Sequence, residues 1–168
     1  MRRGQKPPQR LELDELDLQI ISLLQEDGRR SHADMARIVG KSMQTVRNRL
    51  DRLVDAAVLD VMAVLNPPAL GLEREVVIGL KVRPDSLRSV ADRLAALDSV
   101  SYVACLAGSI DILIEVHVKD DEDLFRFLTD VLGQIEEIQG SETWSVLHTQ
   151  KYNYTWANPL SGSPGVLK

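Results

Sequence analysis

Several residue types are scarce in this sequence of 168 residues, and each shortage excludes a class of protein. A single cysteine, Cys105, permits no intrachain disulfide and no thiolate metal cluster, so we expect a reducing cytoplasm and a buried, apolar Cys105. Aromatic residues amount to 4%, so the core must consist of aliphatic side chains. No apolar run reaches the ~20 residues that span a bilayer, and the basic N-terminus lacks the apolar run of a secretory signal.

Catalytic and metal-binding groups are also sparse. There are three histidines, and neither His32 nor His148 has an acidic or cysteine partner at the spacing of metal ligands. No Ser/His/Asp, Cys/His or paired-carboxylate arrangement is evident. The sequence therefore predicts a protein that is not an enzyme and that uses neither a metal nor a cofactor.

Charge is distributed unevenly along the chain, whose net charge is −5. Residues 1–57 carry 11 Lys/Arg against 9 Asp/Glu, whereas residues 58–168 carry 9 against 16. Between Arg29 and Leu53 there are 7 basic side chains against only Asp34 and Asp51. This concentration of positive charge is typical of a phosphate-binding surface, although each arginine alone also fits a solvated helix face.

The stretch 31–55 predicts two short helices joined by a tight turn. Ser31 is followed by Asp34 at the spacing of an N-terminal capping box. Gly40 follows the first helix, where a positive φ is favoured, and Ser42 is placed to cap the second. An earlier helix, capped by Asp14, completes a three-helix unit. Its apolar face consists of Leu16, Ile20, Leu23 and Leu24.

The last of these three helices has two unlike faces. Its inward apolar stripe consists of Val46, Leu50, Leu53 and Val54. The other face carries amides, hydroxyls and guanidinium groups, which pair with base edges and phosphates in the major groove of DNA. The sequence therefore predicts a helix-turn-helix unit that binds double-stranded DNA. The predicted contact residues are Ser42, Gln44, Thr45, Arg47, Asn48, Arg49 and Arg52.

The rest of the chain predicts a sheet with helices. Val58–Asn66 is predicted to be a strand that Pro67 ends, because proline cannot donate to a ladder. Four further strands (75–83, 99–107, 110–119, 141–152) and two helices (84–97, 120–133) then follow in the order βαββαβ. This order is that of a ferredoxin-like domain with its helices on one sheet face. We expect a second copy of the chain to cover the other face, which would otherwise be a large apolar patch.

The predicted fold class is therefore α+β, a winged-helix-like three-helix domain followed by a ferredoxin-like domain. The predicted boundaries are a flexible basic arm at 1–12, the helix-turn-helix domain at 13–57, a strand and hinge linker at 58–73, the second domain at 74–152 and a C-terminal tail at 153–168.

This combination resembles the Lrp/AsnC family of transcription regulators, also called feast/famine regulatory proteins. The resemblance runs from about Leu13 to Lys151. It rests on four stretches, LDELDLQIISLLQEDGRRSHADMARIVGKSMQTVRNRLDRL, NPPALGL, VSYVACLAGSIDILIEV and FRFLTDVLGQIEEIQGSETWSVLHTQKY. It implies a regulator that dimerises through its sheets, often stacks into octamers and bends promoter DNA. It also implies an effector, usually an amino acid, bound between neighbouring second domains.

The resemblance places that effector near the turn formed by Gly108, Ser109, Ile110 and Asp111. Glycine there permits close backbone approach, and the carboxylate can accept from an α-ammonium group. Thr143 and Ser145 are weaker candidates, whose hydroxyls would meet a carboxylate. A purely structural role for Asp111 in the turn is an equal alternative.

The sequence departs from the family pattern in two places. Ile110 stands where the family has an aromatic residue, which leaves open an altered or absent effector pocket and thus an architectural DNA-organising protein. Ala57 stands where glycine is usual, before a strand that is one residue short. An enzyme similar to the sirohaem decarboxylases is a third reading, disfavoured because the arginines lie on the DNA-binding helix and histidines are few.

Overall fold

The computed structural model describes residues 11–151, whose two compact units cover residues 11–64 and Leu65–Gln150. Among the described residues, no helix is long and apolar enough to cross a membrane. The predicted basic arm, except for Leu11 and Glu12, and the predicted tail lie outside the described residues.

The first unit consists of three helices, α1 (Glu15–Glu26), α2 (His32–Val39) and α3 (Met43–Asp55). The predicted caps are confirmed, since the side chains of Asp14, Ser31 and Ser42 accept from the backbone N–H groups of Asp17, Asp34 and Thr45. Gly40 ends α2 with φ 64, the left-handed conformation that glycine adopts without a steric cost.

Apolar side chains from all three helices meet in one core. Its fully buried members are Ile20, Met35, Val46 and Leu53. Val54, predicted to face inward, is instead 42% exposed. Eight residues rotate the helix by about 80° from Val46, which carries Val54 past the edge of the buried stripe.

The strand predicted at Val58–Asn66 is wrong, because residues 58–66 form no regular strand. The N–H groups of Val58 and Leu59 instead donate to the carbonyl of Leu53, at 3.0 and 3.3 Å. β-branched residues favour an extended chain, but a strand also needs a neighbouring edge to satisfy its backbone groups. No strand within residues 11–151 pairs with this segment.

The second unit is a four-stranded antiparallel sheet with helices. Its elements are β1 (Arg74–Val82), α4 (Leu87–Ala95), β2 (Val100–Cys105), β3 (Ile112–Val118), α5 (Asp121–Arg126) and β4 (Ile138–Ser145). The spatial order β2-β3-β1-β4 confirms the ferredoxin-like plan. The last strand begins three residues earlier than predicted and ends at Ser145, and α5 gives way to a π-helical turn at Phe127–Val131.

The helices cover one face of this sheet. Alternate residues of β1 and β3, including Ile78 and Ile114, are fully buried there against Val90 and Leu94 of α4. The other face, called the open face below, consists by strand register of Val77, Gly79, Tyr102, Ala104, Leu113, Glu115, His117, Glu142 and Trp144. Cys105 is exposed rather than buried, because it ends the edge strand β2.

Candidate functional site

Two side-chain amides stand together on the outer face of α3. The side-chain nitrogen of Gln44 donates to the side-chain oxygen of Asn48 at 2.7 Å, and both residues are exposed. The Arg47 side chain beside them is 65% exposed, with its Nε 3.9 Å from a carboxylate oxygen of Asp51. This surface therefore offers hydrogen-bonding groups and one loosely held guanidinium to a partner.

The predicted hydroxyl contacts lie at the first turn of the same helix. Ser42 Oγ accepts from the Thr45 N–H at 3.0 Å and lies 2.8 Å from Thr45 Oγ1. Both hydroxyls therefore complete the N-terminus of α3, where backbone N–H groups and the helix dipole favour an anion.

Arg49 and Arg52 occupy a different environment from the other predicted contacts. Arg49 Nη1 donates to Asp14 at 2.6 Å and to Asp17 at 3.2 Å, and Arg52 Nη2 donates to Asp17. Asp17 is fully buried, so these two guanidinium groups tie α3 to the start of α1. The backbone N–H of Asp17 and the guanidinium of Arg49 hold the pKa of Asp14 below its ordinary value.

Sequence reasoning missed Asp17 as a partner of α3. The signal was available, because Asp17 lies three and seven residues before Ile20 and Leu24, on the buried stripe of α1. An acidic residue on such a stripe needs a cation or several hydrogen-bond donors. Asp17 also forms the capping box with Asp14, and this local role accounts for the acidic residue without the arginines of α3.

In the second unit, Asp111 links two strands at the predicted effector turn. One carboxylate oxygen accepts from Lys81 Nζ at 2.9 Å, and the other accepts from the Val82 N–H at 2.9 Å. The ammonium group of Lys81 and that backbone N–H lower the pKa of Asp111. The carboxylate of Asp111 thus holds the turn to β1, and Lys81 is a neighbour that sequence reasoning missed.

The side chain of Ile110 lies over Gly79 at the centre of β1. A Cβ placed on Gly79 would lie 2.6 Å from Ile110 Cδ1 and 3.1 Å from Trp144 Cη2. Glycine is therefore required here for close approach, and Ile110 and Trp144 form an apolar cluster on the open face. A glycine within a β-branched strand was the sequence signal for this contact.

Thr143 and Ser145 do not meet the turn within one chain. Both residues are exposed. Thr143 pairs with Ile78 and Ser145 pairs with Val76, two residues of β1 that face the helices. Ile78 and Val76 lie two and four residues before Leu80 in this strand. Asp111 donates its N–H to the Leu80 carbonyl, so the turn lies at that end of β1. Trp144, not its two neighbours, points to the open face beside Ile110. No group of three potential metal ligands occurs within residues 11–151.

Two family models match the chain in the same order as the two units. The AsnC-type helix-turn-helix domain matches residues 13–54, and the Lrp/AsnC ligand binding domain matches residues 75–156. An HTH-type transcriptional regulator of Pyrococcus furiosus is 41% identical over 143 residues, which cover 84% of this chain and 97% of that one. The chain belongs to the Lrp/AsnC family.

Solved structures of Lrp/AsnC regulators have the same fold. E. coli AsnC is 26% identical, with a TM-score of 0.78 over 85% of this chain and 97% of that one. A transcriptional regulator of Neisseria meningitidis, solved with L-Met, is 25% identical, with a TM-score of 0.77 over 85% of this chain and 95% of that one. The protein is therefore a DNA-binding transcriptional regulator of the Lrp/AsnC type and not an enzyme. Within the matched motif, α3 occupies the position of the second helix, which is called the recognition helix.

Proposed function

We propose that the outer face of α3 reads base pairs in the major groove. The observation that carries this proposal is the exposed, hydrogen-bonded amide pair of Gln44 and Asn48 on the recognition helix. Amides pair bidentately with adenine, and the neighbouring Arg47 suits guanine or a phosphate. Ser42 and Thr45 lie at the helix N-terminus, where a backbone phosphate is favoured.

Arg49 and Arg52 are not part of the proposed contact surface. Both guanidinium groups pair with Asp17, whose buried charge would lose its partners if they moved to DNA. Removing one partner of a buried pair costs about 3–5 kcal/mol, which exceeds the 0–1 kcal/mol typical of an exposed ion pair. We therefore assign DNA contacts to Arg47 and the amides, together with the N-terminal hydroxyls.

Single substitutions on α3 test the proposed surface. Arg47→Ala should weaken binding to all DNA and reduce the slope of log affinity against log salt by about one. Asn48→Ala should instead relax the preference at one or two base pairs. Anisotropy titrations on DNA from upstream of the protein's own gene, across a salt series, measure the first effect. Selection from a random DNA pool measures the second, and an unchanged profile would remove Asn48 from base readout.

The second unit is proposed to bind an amino acid near the turn at Gly108–Ser109. Support comes from the match to a ligand binding domain and from the relative that was solved with L-Met. Asp111 and Lys81 form a pair of opposite charges 2.9 Å apart, with Lys81 half exposed. A zwitterion carries the complementary pair of charges, and an ionised carboxylate has lone pairs for more than two donors. Thr143 and Ser145 would come from a neighbouring copy.

Melting with each of the twenty amino acids tests this site, because a ligand that binds the folded state raises the Tm. The ligand that raises the wild-type Tm should have no effect on Asp111→Ala or Lys81→Gln, whereas Lys119→Gln should respond like wild type. Asp111→Ala should still bind DNA and lose its response to the amino acid. A response that survives in both site variants would place the effector elsewhere.

The chain is also proposed to act in the cytoplasm as a homodimer that stacks into an octamer. The open face supports the dimer, because Tyr102 and Trp144 on it are 53% and 43% exposed. Exposed aromatic side chains beside apolar ones are typical of an interface core. The octamer rests on the family alone.

A further inference from the structure

The buried ion cluster between α1 and α3 bears on how selectively the recognition helix binds. Asp17 is the one ionisable side chain among the fully buried residues of the described chain. Three donors meet its carboxylate, namely Arg49, Arg52 and the backbone N–H of Asp14. A buried charge satisfied in this way is held in place, because each donor lost would leave it uncompensated in a poorly solvated site.

The cluster adds a second constraint, beside the buried Val46 and Leu53, on the rotation of α3 about its own axis. Arg49 directly follows Asn48 in the sequence, and Arg52 lies about one helical turn after Asn48. Anchoring both arginines on α1 therefore leaves Asn48 and its partner Gln44 facing outward. Base readout depends on this orientation, since bidentate hydrogen bonds tolerate little rotation.

The same cluster reduces the positive charge available to DNA. Two guanidinium groups on the recognition helix pair with the carboxylates of Asp14 and Asp17, with Arg49 2.6 Å from Asp14. Phosphate contacts supply the binding that is independent of sequence, so two arginines held on carboxylates reduce non-specific affinity. Arg47, loosely paired with Asp51, remains free to contribute such a contact.

We propose that Asp14 and Asp17 are positioning residues that raise the ratio of specific to non-specific DNA affinity. They orient the recognition helix through Arg49 and Arg52, and they keep both arginines off the phosphates. The proposal rests on base readout by the outer face of α3.

Two isosteric variants test it in the full-length protein. Asp17→Asn removes the buried charge. Asp14→Asn is the second variant, because asparagine caps a helix as well as aspartate does and the fold is retained. Glu26→Gln is the matched control, since it removes one carboxylate from the same helix and releases Arg30 instead. Each is titrated with the DNA that the wild type selects from a random pool and with a scrambled duplex, across a salt series.

Both aspartate variants should lower the specific-to-non-specific ratio by about tenfold, the size of one lost base contact. The salt slope of Asp17→Asn on scrambled DNA should rise by about one, because Arg52 loses its carboxylate partner and is free to neutralise a phosphate. The slope of Asp14→Asn should rise by less, because Arg49 keeps Asp17. A merely structural role would lower the Tm and leave this slope unchanged. Glu26→Gln should keep the wild-type ratio, because the Arg30 that it releases precedes α2 and lies outside the recognition helix.

Unchanged affinity ratios and salt slopes in both aspartate variants would overturn the proposal. So would an Arg49→Ala variant whose salt slope on selected DNA falls by about one, because Arg49 would then contact a phosphate in the wild type. Asn48→Ala in the same titrations separates the two levels of inference. If Asn48→Ala loses selectivity and the aspartate variants keep it, the positioning role fails and the readout surface stands. If Asn48→Ala also keeps its selectivity, the proposed readout surface is wrong.

Discussion

At the scale of single residues, Ala57 is the clearest case of local strain. It has φ 55, the left-handed region, and is the non-glycine residue with positive φ in the described chain. Its N–H donates to Val54 and that of Val58 to Leu53, the paired hydrogen bonds of a Schellman motif at the end of α3. The departure from the family's glycine thus has a physical consequence, because the motif forms with a methyl group at its least favourable position.

Ala57→Gly should stabilise the protein by roughly 0.5–1 kcal/mol. Removing the Cβ relieves about 1–2 kcal/mol of left-handed strain, and the greater freedom of glycine in the unfolded chain offsets about 0.5–1 kcal/mol of that gain. The control Ala56→Gly, with φ −83 and a buried methyl group, should be destabilising by about 1 kcal/mol. Urea denaturation at a fixed protein concentration measures the free energy of unfolding of both variants. Equal losses of stability in the two variants would show that Ala57 is not strained.

Asp111 gives a prediction for acid stability. Its pKa is lowered in the folded state by Lys81 and the Val82 N–H. Its contribution is therefore present above the unfolded pKa of about 3.9 and is lost as the pH falls through the lower folded value. The Tm advantage of wild type over Asp111→Asn should be constant from about pH 5 to 8 and should shrink below about pH 4. A wild-type Tm advantage that grows as the pH falls would show that folding raises the pKa of Asp111 and does not lower it.

At the scale of elements, the helices and strands were predicted from periodicity because their stripes and caps are local. The strand at Val58–Asn66 was wrong because its partner edge is a property of the fold and not of the segment. The pairing of Arg49 and Arg52 with α1 could not be predicted for a related reason. Helical spacing gives the face that Arg52 occupies, but only the packed structure shows that Asp17 lies within its reach.

The packing of Ile110 on β1 gives a prediction at this scale. Gly79→Ala places a methyl group against Ile110 and Trp144, so overpacking should cost about 1 kcal/mol, the low end of the usual range, because the end of Ile110 can move. Ile110→Ala removes the nearest atoms and should cancel most of that cost. Denaturation of the two single variants and the double variant measures the coupling. Additive losses would show that the two residues are not in contact.

At the scale of the whole molecule, the two-unit plan followed from the order of elements, and the family from motifs that span both. The residues of the open face, proposed above as the dimer interface, did not follow in the same way, because they belong to four strands brought together by the fold. Trp144 is an example of an open-face residue that was not predicted. Its neighbours in sequence, Thr143 and Ser145, were the predicted site residues, yet strand alternation directs Trp144 to the open face.

The proposed dimer predicts how surface substitutions change the solution mass. Trp144→Glu places a charge on the open face and should shift the protein toward its monomer mass of 18.7 kDa. Phe125→Glu, which changes a more exposed aromatic residue on α5, should keep the wild-type mass. Size-exclusion chromatography with light scattering compares them at matched concentrations. Dissociation by Phe125→Glu alone would move the interface to the helical side.

The most direct test of DNA readout by α3 is selection from a random DNA pool. The wild type is compared with a triple variant, Gln44→Ala with Arg47→Ala and Asn48→Ala, whose substituted side chains lie outside the core. The wild type should enrich a defined sequence. The triple variant should keep the wild-type Tm within a few degrees and enrich none. Enrichment of the same sequence by both proteins would contradict DNA readout by this face of the helix.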